Sequence, residues 1–286
     1  MSIEMKSAPL VEKELESLRE RCESLKSKGV TPSMKVLLVG ENKASLIYTR
    51  NKKKFCEKFG ADCEIINLSE EILESEFLAK VKEISERNDV HGCFVQLPLP
   101  KHLQHIDCGA LISPEKDVDG FHVHNIGELF KGDPKSNGLM PCTPQGVVNL
   151  IEYYGNDLSG KNVVIIGRSL IVGKPLSLLL LNKNATVTVC HSRTKDLPEH
   201  TKRADIIVSA VGRPRFLTSD YLSKDKNQIL VDVGINHDSE GKLCGDMDYE
   251  NIKDKCAAIT PVPGGVGPLT ILSLAQNLLQ AAENSL

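Results

Sequence analysis

Short apolar runs alternate with longer helical segments along most of this chain, and few architectures accommodate that order. After a helically spaced stretch at 8–28 come strand-like runs at 34–40 (MKVLLVG), 62–68 (DCEIINL) and 92–98 (GCFVQLP), separated by helical segments at 44–59 and 71–87. Beyond residue 100 the alternation lapses into a loop-rich stretch. It resumes with runs at 163–167, 186–190, 205–212 and 229–236, and a short AAIT at 257–260. Between the two series, TPQGVVNLIEYYG opens a helix, with Thr143 suited to cap it, Pro144 to its first turn and Gly155 to its end. A last helix, 268–284, follows the loop PVPGGVGP. Strands alternating with helices of this length build βαβ units on a parallel sheet. No repeat at a solenoid period interrupts the pattern. Two α/β domains fit the order best, the second inserted between helices that return to the first.

Composition narrows the class. A chain of 286 residues with 41% hydrophobic and 26% charged residues reads as an ordinary soluble globular protein. No apolar run is long enough to suggest a membrane span. The Glu-rich opening, MSIEMKSAPLVEKELESLRERCESL, lacks the apolar core of a signal peptide. A net charge of −3 gives no reason to expect a nucleic-acid partner. The nine cysteines are scattered, odd in number and never spaced C-x-x-C, as expected of free thiols in a reducing cytoplasm. No clustered ligand set suggests zinc.

The stretch NVVIIGRSLIVGKPLSLLL (162–180) passes from buried strand through a glycine-bearing loop into a helix. A helix N-terminus offers free N–H groups and the positive end of its dipole to a phosphate. The glycines depart from G-x-G-x-x-G: Gly167 permits the tight turn, Gly173 permits close packing of helix on sheet, and the middle glycine is absent. The segment is either a phosphate loop or a purely structural strand–helix turn. The next strand ends Cys190-His191-Ser192-Arg193, with no carboxylate before Asp196. An NAD-preferring site places Asp or Glu there for the ribose hydroxyls. Donors at that place, with Arg168 on the first loop, favour NADP, unless both arginines are ordinary solvated side chains.

The helix ASLIYTRNKKKFCEKFG carries three successive lysines, Lys52, Lys53 and Lys54. At about 100° per residue, Ala44, Tyr48, Phe55 and Phe59 share one arc, and Lys52 falls on its edge while the other two point elsewhere. Lys52 either snorkels beside an aromatic stripe or enters a cleft, where partial burial suits a lysine to acid/base work. Gln96 stands at the C-terminal end of a buried strand, where open α/β sheets bind ligands. Asp119, followed by Gly120, is a ligand hook or a turn. PVPGGVGP combines glycines for unusual backbone angles with rigid prolines, as a substrate lid or clamp does.

Taken together, ASLIYTRNK, VQLPLPKHL, KDVDGFH, PCTPQG, GRSLIVGKP, NATVTVCHS, VDVGIN and ITPVPGGVGPLT, in this order and spacing, resemble the bifunctional methylenetetrahydrofolate dehydrogenase/methenyltetrahydrofolate cyclohydrolase family. The resemblance runs from about residue 34 to the C-terminus. It implies two three-layer α/β domains with a folate cleft between them, the second a Rossmann-like NADP-binding domain. The first would span 1–143, completed by the C-terminal helix 268–286, and the second 144–267. It further implies NADP-dependent oxidation of 5,10-methylenetetrahydrofolate to the methenyl form, then hydrolysis to 10-formyltetrahydrofolate. Tyr48 would stack on the folate aminobenzoate, Lys52 would be the acid/base group, Gln96 would orient it and Asp119 would anchor the pterin. Val95, Leu97, Pro263, Gly264 and Gly265 would line the folate site. Gly167, Arg168, Ser169, Ser192, Arg193 and Ile235 would line the cofactor site. The partners implied are tetrahydrofolate one-carbon derivatives and a second copy of the chain, joined through the cofactor domains.

Two departures from the family pattern stand out. Val123-His124 follows DGFH where many members have proline, and the family's usual opening is not clear in residues 1–20. His122 and His124 form an H-x-H pair with no third ligand nearby, so no metal is expected.

Overall fold

The computed structural model describes residues 2–133 and 135–286. In chain order its elements are β1 (Ile3–Glu4), α1 (Ala8–Ser27), β2 (Ser33–Val39), α2 (Lys43–Phe59), β3 (Asp62–Leu68), α3 (Glu74–Glu86), β4 (Gly92–Val95), α4 (Val123–Lys131), α5 (Cys142–Tyr153), β5 (Asn162–Ile166), α6 (Gly173–Asn182), β6 (Thr186–Cys190), α7 (Leu197–Thr201), β7 (Ile206–Ser209), β8 (Ile229–Asp232), β9 (Asn236–His237), β10 (Leu243–Cys244), α8 (Tyr249–Ile252), β11 (Ala258–Ile259) and α9 (Gly267–Asn284). They fall into two units. One comprises Glu12–Cys142 with Ile271–Leu286; the other comprises the chain up to Val11 with Thr143–Thr270. Each is an α/β fold on a parallel sheet, as the alternation predicts.

In the first unit the sheet order is β3-β2-β4, with Val36 of β2 level with Ile65 on one side and Phe94 on the other. Strand β2 lies in the middle, and all of it except Lys35 is buried. Its run of Met, Val and Leu is what a strand covered on both faces requires. Helix α2 begins where the Asn42 side chain accepts the N–H groups of Ala44 and Ser45, at 3.0 and 3.1 Å. It ends at Gly60, in the left-handed conformation. Strand β4 is shorter than its apolar run. The Gln96 N–H still donates to Leu37 O at 2.9 Å, but Pro98, which has no N–H, cannot extend the ladder.

The loop-rich stretch after residue 100 contains α4, which the sequence reading passes over. Its apolar residues Val123, Ile126, Leu129 and Phe130 share one face, yet of these only Leu129 is buried, with the polar Asn125, while Val123 and Phe130 are exposed. The His122 ring caps it, Nδ1 accepting the His124 N–H at 3.0 Å. That cap is what the H-x-H pair does here. Thr143 is not the cap of α5, which begins at Cys142; its hydroxyl pairs with that of Thr270 at 3.0 Å.

The second unit is a six-stranded sheet in the order β1-β11-β8-β7-β5-β6. Strand β5 leads through α6 to β6 on one side and has β7 on the other, so the strand order reverses beside β5. Open α/β sheets bind ligands at the carboxyl ends of the strands at such a point. Strand β1, too short to leave a sequence signal, pairs in parallel with β11. Residues 2–11 therefore lie with Thr143–Thr270, whereas the sequence reading places them with the first domain.

Candidate active site

The buried face of α2 is Ser45, Thr49, Lys52, Cys56 and Phe59, a 4-3-4-3 spacing. Lys52 sits within about 20° of the middle of that face, not at its edge. The aromatic arc is misleading because Tyr48 and Phe55 are only half-buried, while the small polar Ser45 and Thr49 turn inward. Their hydroxyls bond to main-chain carbonyls, Ser45 to Leu97 O at 3.4 Å and Thr49 to Leu46 O at 3.2 Å, which permits their burial. Lys52 is 5% exposed, whereas Lys53 and Lys54 are exposed.

A lysine ammonium so enclosed needs partners. Lys52 Nζ donates to Gln96 Oε1 at 3.3 Å and lies 3.8 Å from the centre of the Phe94 ring. Gln96 is held in turn, since its Nε2 donates to Leu97 O at 2.8 Å and so leaves Oε1 facing the lysine. Phe94, hidden in an apolar run, gives no sign of this role in the sequence. Val95 is buried and Leu97 exposed, so Leu97 presents the larger surface to a ligand. Tyr48 stands one turn before Lys52, with its hydroxyl pKa pushed up by burial.

Asp119 belongs to the same electrostatic neighbourhood. Withdrawal from water pushes its carboxyl pKa up, and the charge of Lys52 opposes the rise. Its loop is held from several directions. Asp117, buried, accepts the His122 N–H at 2.7 Å and Asn125 Nδ2 at 3.0 Å. Asn277 of α9 donates to Val118 O and to Met140 O, each at 2.8 Å. Gly120 has φ +77°, and a Cβ there would lie 2.5 Å from Met140 C, so no other residue fits. Asp117, Asn125 and Asn277 are functional supports that sequence reasoning misses: a lone polar residue in a loop or helix shows nothing until its partners are known.

In the second unit Gly167, Arg168 and Ser169 follow β5, and Ser192 and Arg193 follow the adjacent β6. Gly167 has φ +125°, and a Cβ there would stand 2.3 Å from Ala210 O. At Gly173 a Cβ would meet Gly167 O at 2.1 Å, so α6 starts directly against the first residue of the loop. At the start of α6 the Ser169 hydroxyl accepts the Val172 N–H at 3.2 Å, Ser169 O accepts the Lys174 N–H at 3.1 Å and Pro175 has no N–H, which leaves the Gly173 N–H to face an anion. Arg168, Ser169, Ser192 and Arg193 are all exposed, giving two cations and two hydroxyls at the ends of neighbouring strands. That donor set, beside the start of α6, fits a phosphate-bearing dinucleotide. Ile235, in the turn after β8, is 56% exposed.

Pro263, Gly264 and Gly265 lie between β11 and α9, in the second unit. Gly264 O accepts both the N–H and the hydroxyl of Ser7, each at 2.9 Å, so the loop is pinned by the N-terminal segment. Among the described residues no group of three or more His, Cys, Asp or Glu could hold a metal ion.

Comparison with known proteins agrees with both halves. The family profile "Tetrahydrofolate dehydrogenase/cyclohydrolase, catalytic domain" matches residues 5–119, and "Tetrahydrofolate dehydrogenase/cyclohydrolase, NAD(P)-binding domain" matches residues 141–286. The bifunctional protein FolD of Lysinibacillus sphaericus is 48% identical over 270 residues, covering 94% of this chain and 93% of the relative. The crystal structure of the bifunctional FolD methylenetetrahydrofolate dehydrogenase/cyclohydrolase from Campylobacter jejuni superposes with a TM-score of 0.94 at 44% identity, over 100% of both chains. The Trypanosoma brucei methylenetetrahydrofolate dehydrogenase-cyclohydrolase, crystallised with NADP and an inhibitor, gives 0.92 at 31% identity, covering 99% of this chain and 98% of that one. The chain belongs to the tetrahydrofolate dehydrogenase/cyclohydrolase family.

Proposed function

We propose that this chain oxidises 5,10-methylenetetrahydrofolate to 5,10-methenyltetrahydrofolate with NADP and hydrolyses the product to 10-formyltetrahydrofolate, with Lys52 as the acid/base residue of the second reaction. The observation that carries the assignment is the enclosed Lys52 Nζ, held between Gln96 Oε1 and the Phe94 ring while its neighbours Lys53 and Lys54 face solvent. The family and its relatives supply the substrate class.

Gly167, Arg168, Ser169, Ser192, Arg193 and Ile235 would hold NADP, the arginines and serines at its phosphates, and the cofactor, when bound, would supply the acceptor for the hydride of the one-carbon bridge. The chain's own contribution to this step is alignment of the bridge carbon. Tyr48 packs on the aminobenzoate ring, Asp119 anchors the pterin, and Val95 and Leu97 line the folate site. In the second reaction water adds to the methenyl carbon, a carbon–nitrogen bond opens and one proton is released overall. Lys52 moves the proton between the entering water and the departing ring nitrogen, a task for a positioned general acid/base. Gln96 keeps the ammonium in place, because its amide is itself fixed on Leu97 O.

The same reading makes the protein a cytoplasmic homodimer joined through the cofactor domains. The nine cysteines, all free, support the reducing compartment. Among the described residues no helix is long and apolar enough to cross a membrane. Lys52→Met tests the assignment. It should abolish hydrolysis of methenyltetrahydrofolate while hydride transfer persists, and Lys53→Met and Lys54→Met should be nearly silent. Hydrolysis at the wild-type rate in a folded Lys52→Met protein would remove Lys52 from the mechanism.

A further inference from the structure

At the carboxyl edge of the second unit's sheet, Cys190, Ile166, Ser209 and Asp232 stand in one register row, from β6 across β5 and β7 to β8. The loops that follow this row form the crevice. Two buried aspartates beneath them take no part in the function described above. Asp246 gathers the whole start of the loop after β7: its carboxylate accepts the N–H groups of Val211, Gly212 and Arg213 at 2.6, 3.3 and 3.0 Å. It also accepts the Ser209 hydroxyl at 3.2 Å and Asn236 Nδ2 at 2.8 Å. Asp232 accepts the N–H groups of Gly234, Asp246 and Met247 at 2.9, 2.9 and 2.7 Å. Both carboxylates press on glycines: a Cβ on Gly234 would lie 2.3 Å from Asp246 Oδ1, and one on Gly245 would lie 2.0 Å from Asp232 Oδ2.

This network bears on the crevice at two places. Ala210, which opens the loop gathered by Asp246, is the residue whose carbonyl lies against Gly167 of the phosphate loop. Ile235 stands between Gly234, bonded to Asp232, and Asn236, bonded to Asp246, and is turned outward while both neighbours are anchored inward. With the 2′-phosphate side at the end of β6 and the diphosphate at the start of α6, the strand order leaves the loops after β7 and β8 for the nicotinamide half.

We propose that Asp246 is a positioning residue for the cofactor: through residues 210–213 and Asn236 its carboxylate sets the ledge against which the nicotinamide half of NADP rests. The inference rests on the assignment of NADP to this crevice. In Asp246→Asn an amide NH2 replaces one carboxylate oxygen, and either oxygen it replaces faces at least two donors. The loop must therefore open. Asn236→Ala removes one side-chain bond and keeps the three backbone bonds, so it tests the same ledge in a protein close to native.

Binding is measured by calorimetry with NADP and with 2′,5′-ADP, which lacks the nicotinamide half, alongside cofactor-free hydrolysis of methenyltetrahydrofolate. Asp246→Asn should weaken NADP by about tenfold or more and Asn236→Ala by about threefold, with 2′,5′-ADP affinity and hydrolysis within about twofold of wild type. Parallel loss of NADP and 2′,5′-ADP would mean that the aspartate merely holds the domain together, and would overturn the proposal. Unchanged NADP binding in both variants would overturn it as well. A wild-type chain that fails to bind NADP overturns the cofactor assignment itself, and this inference with it.

Discussion

Replacing Asn277 with leucine should damage both the stability of the first unit and its grip on folate. Asn277 sits in α9, buried, and its Nδ2 donates to Val118 O and Met140 O at 2.8 Å each. Leucine has the same number of side-chain heavy atoms and no donor. It strands Met140 O and leaves Val118 O with only the Cys142 thiol, 3.2 Å away. An orphaned buried carbonyl costs about 1–3 kcal/mol, and the thiol moderates one of the two, so the loss is about 2–4 kcal/mol. With a urea slope near 2 kcal/mol/M the unfolding midpoint should fall by about 1–2 M. The chain has no tryptophan, so circular dichroism is the suitable probe. Because Val118 adjoins Asp119, the KM for methenyltetrahydrofolate should rise with the loss of stability. A midpoint within about 0.2 M of wild type and an unchanged KM would show that the two bonds hold nothing, and the account of the Asp119 loop would fail.

Further outcomes follow from the second unit. Arg168→Ala should weaken NADP by about tenfold or more and leave NAD little changed, since a charge-assisted bond contributes about 1.5–3 kcal/mol; equal loss for both cofactors would mean Arg168 shapes the loop without reading the 2′-phosphate. Asp232 is raised by burial to about 6, against the backbone N–H bonds of Asp246 and Met247 that lower it. The folded chain therefore holds this proton more tightly than the unfolded chain, and the stability it confers is present below the unfolded value of 3.8 and lost as pH rises through about 6. The stability of wild type minus that of Asp232→Asn should then fall by about 2 kcal/mol between pH 4 and 7, measured by urea titration at each pH. A flat difference would contradict the burial argument.

Much of the frame is legible before any fold is known, because it is written in local periods. The apolar run at 34–40 becomes β2 nearly residue for residue, since a strand covered on both faces must be apolar throughout, and 62–68 becomes β3, whose exposed Asp62, Glu64 and Asn67 mark the edge of the sheet. Gly167 and Gly173 mark the turn from β5 into α6 through a steric demand that only glycine meets. The separation of Lys52 from Lys53 and Lys54 follows from the turn of one helix, although the face it belongs to does not. Tyr48 and Phe55 promise the core by their size, yet the core admits Ser45 and Thr49 instead, because Leu97 O and Leu46 O are there to receive their hydroxyls. Asn277 reaches a carbonyl 159 residues away, Ser7 one 257 away, and Asp246 three amides more than thirty away. A single polar residue has no period, so the sequence leaves it indistinguishable from a solvated one. Only the tertiary fold, by burying it beside a particular orphaned carbonyl or amide, decides that Asn277 holds the Asp119 loop and that Asp246 holds the crevice.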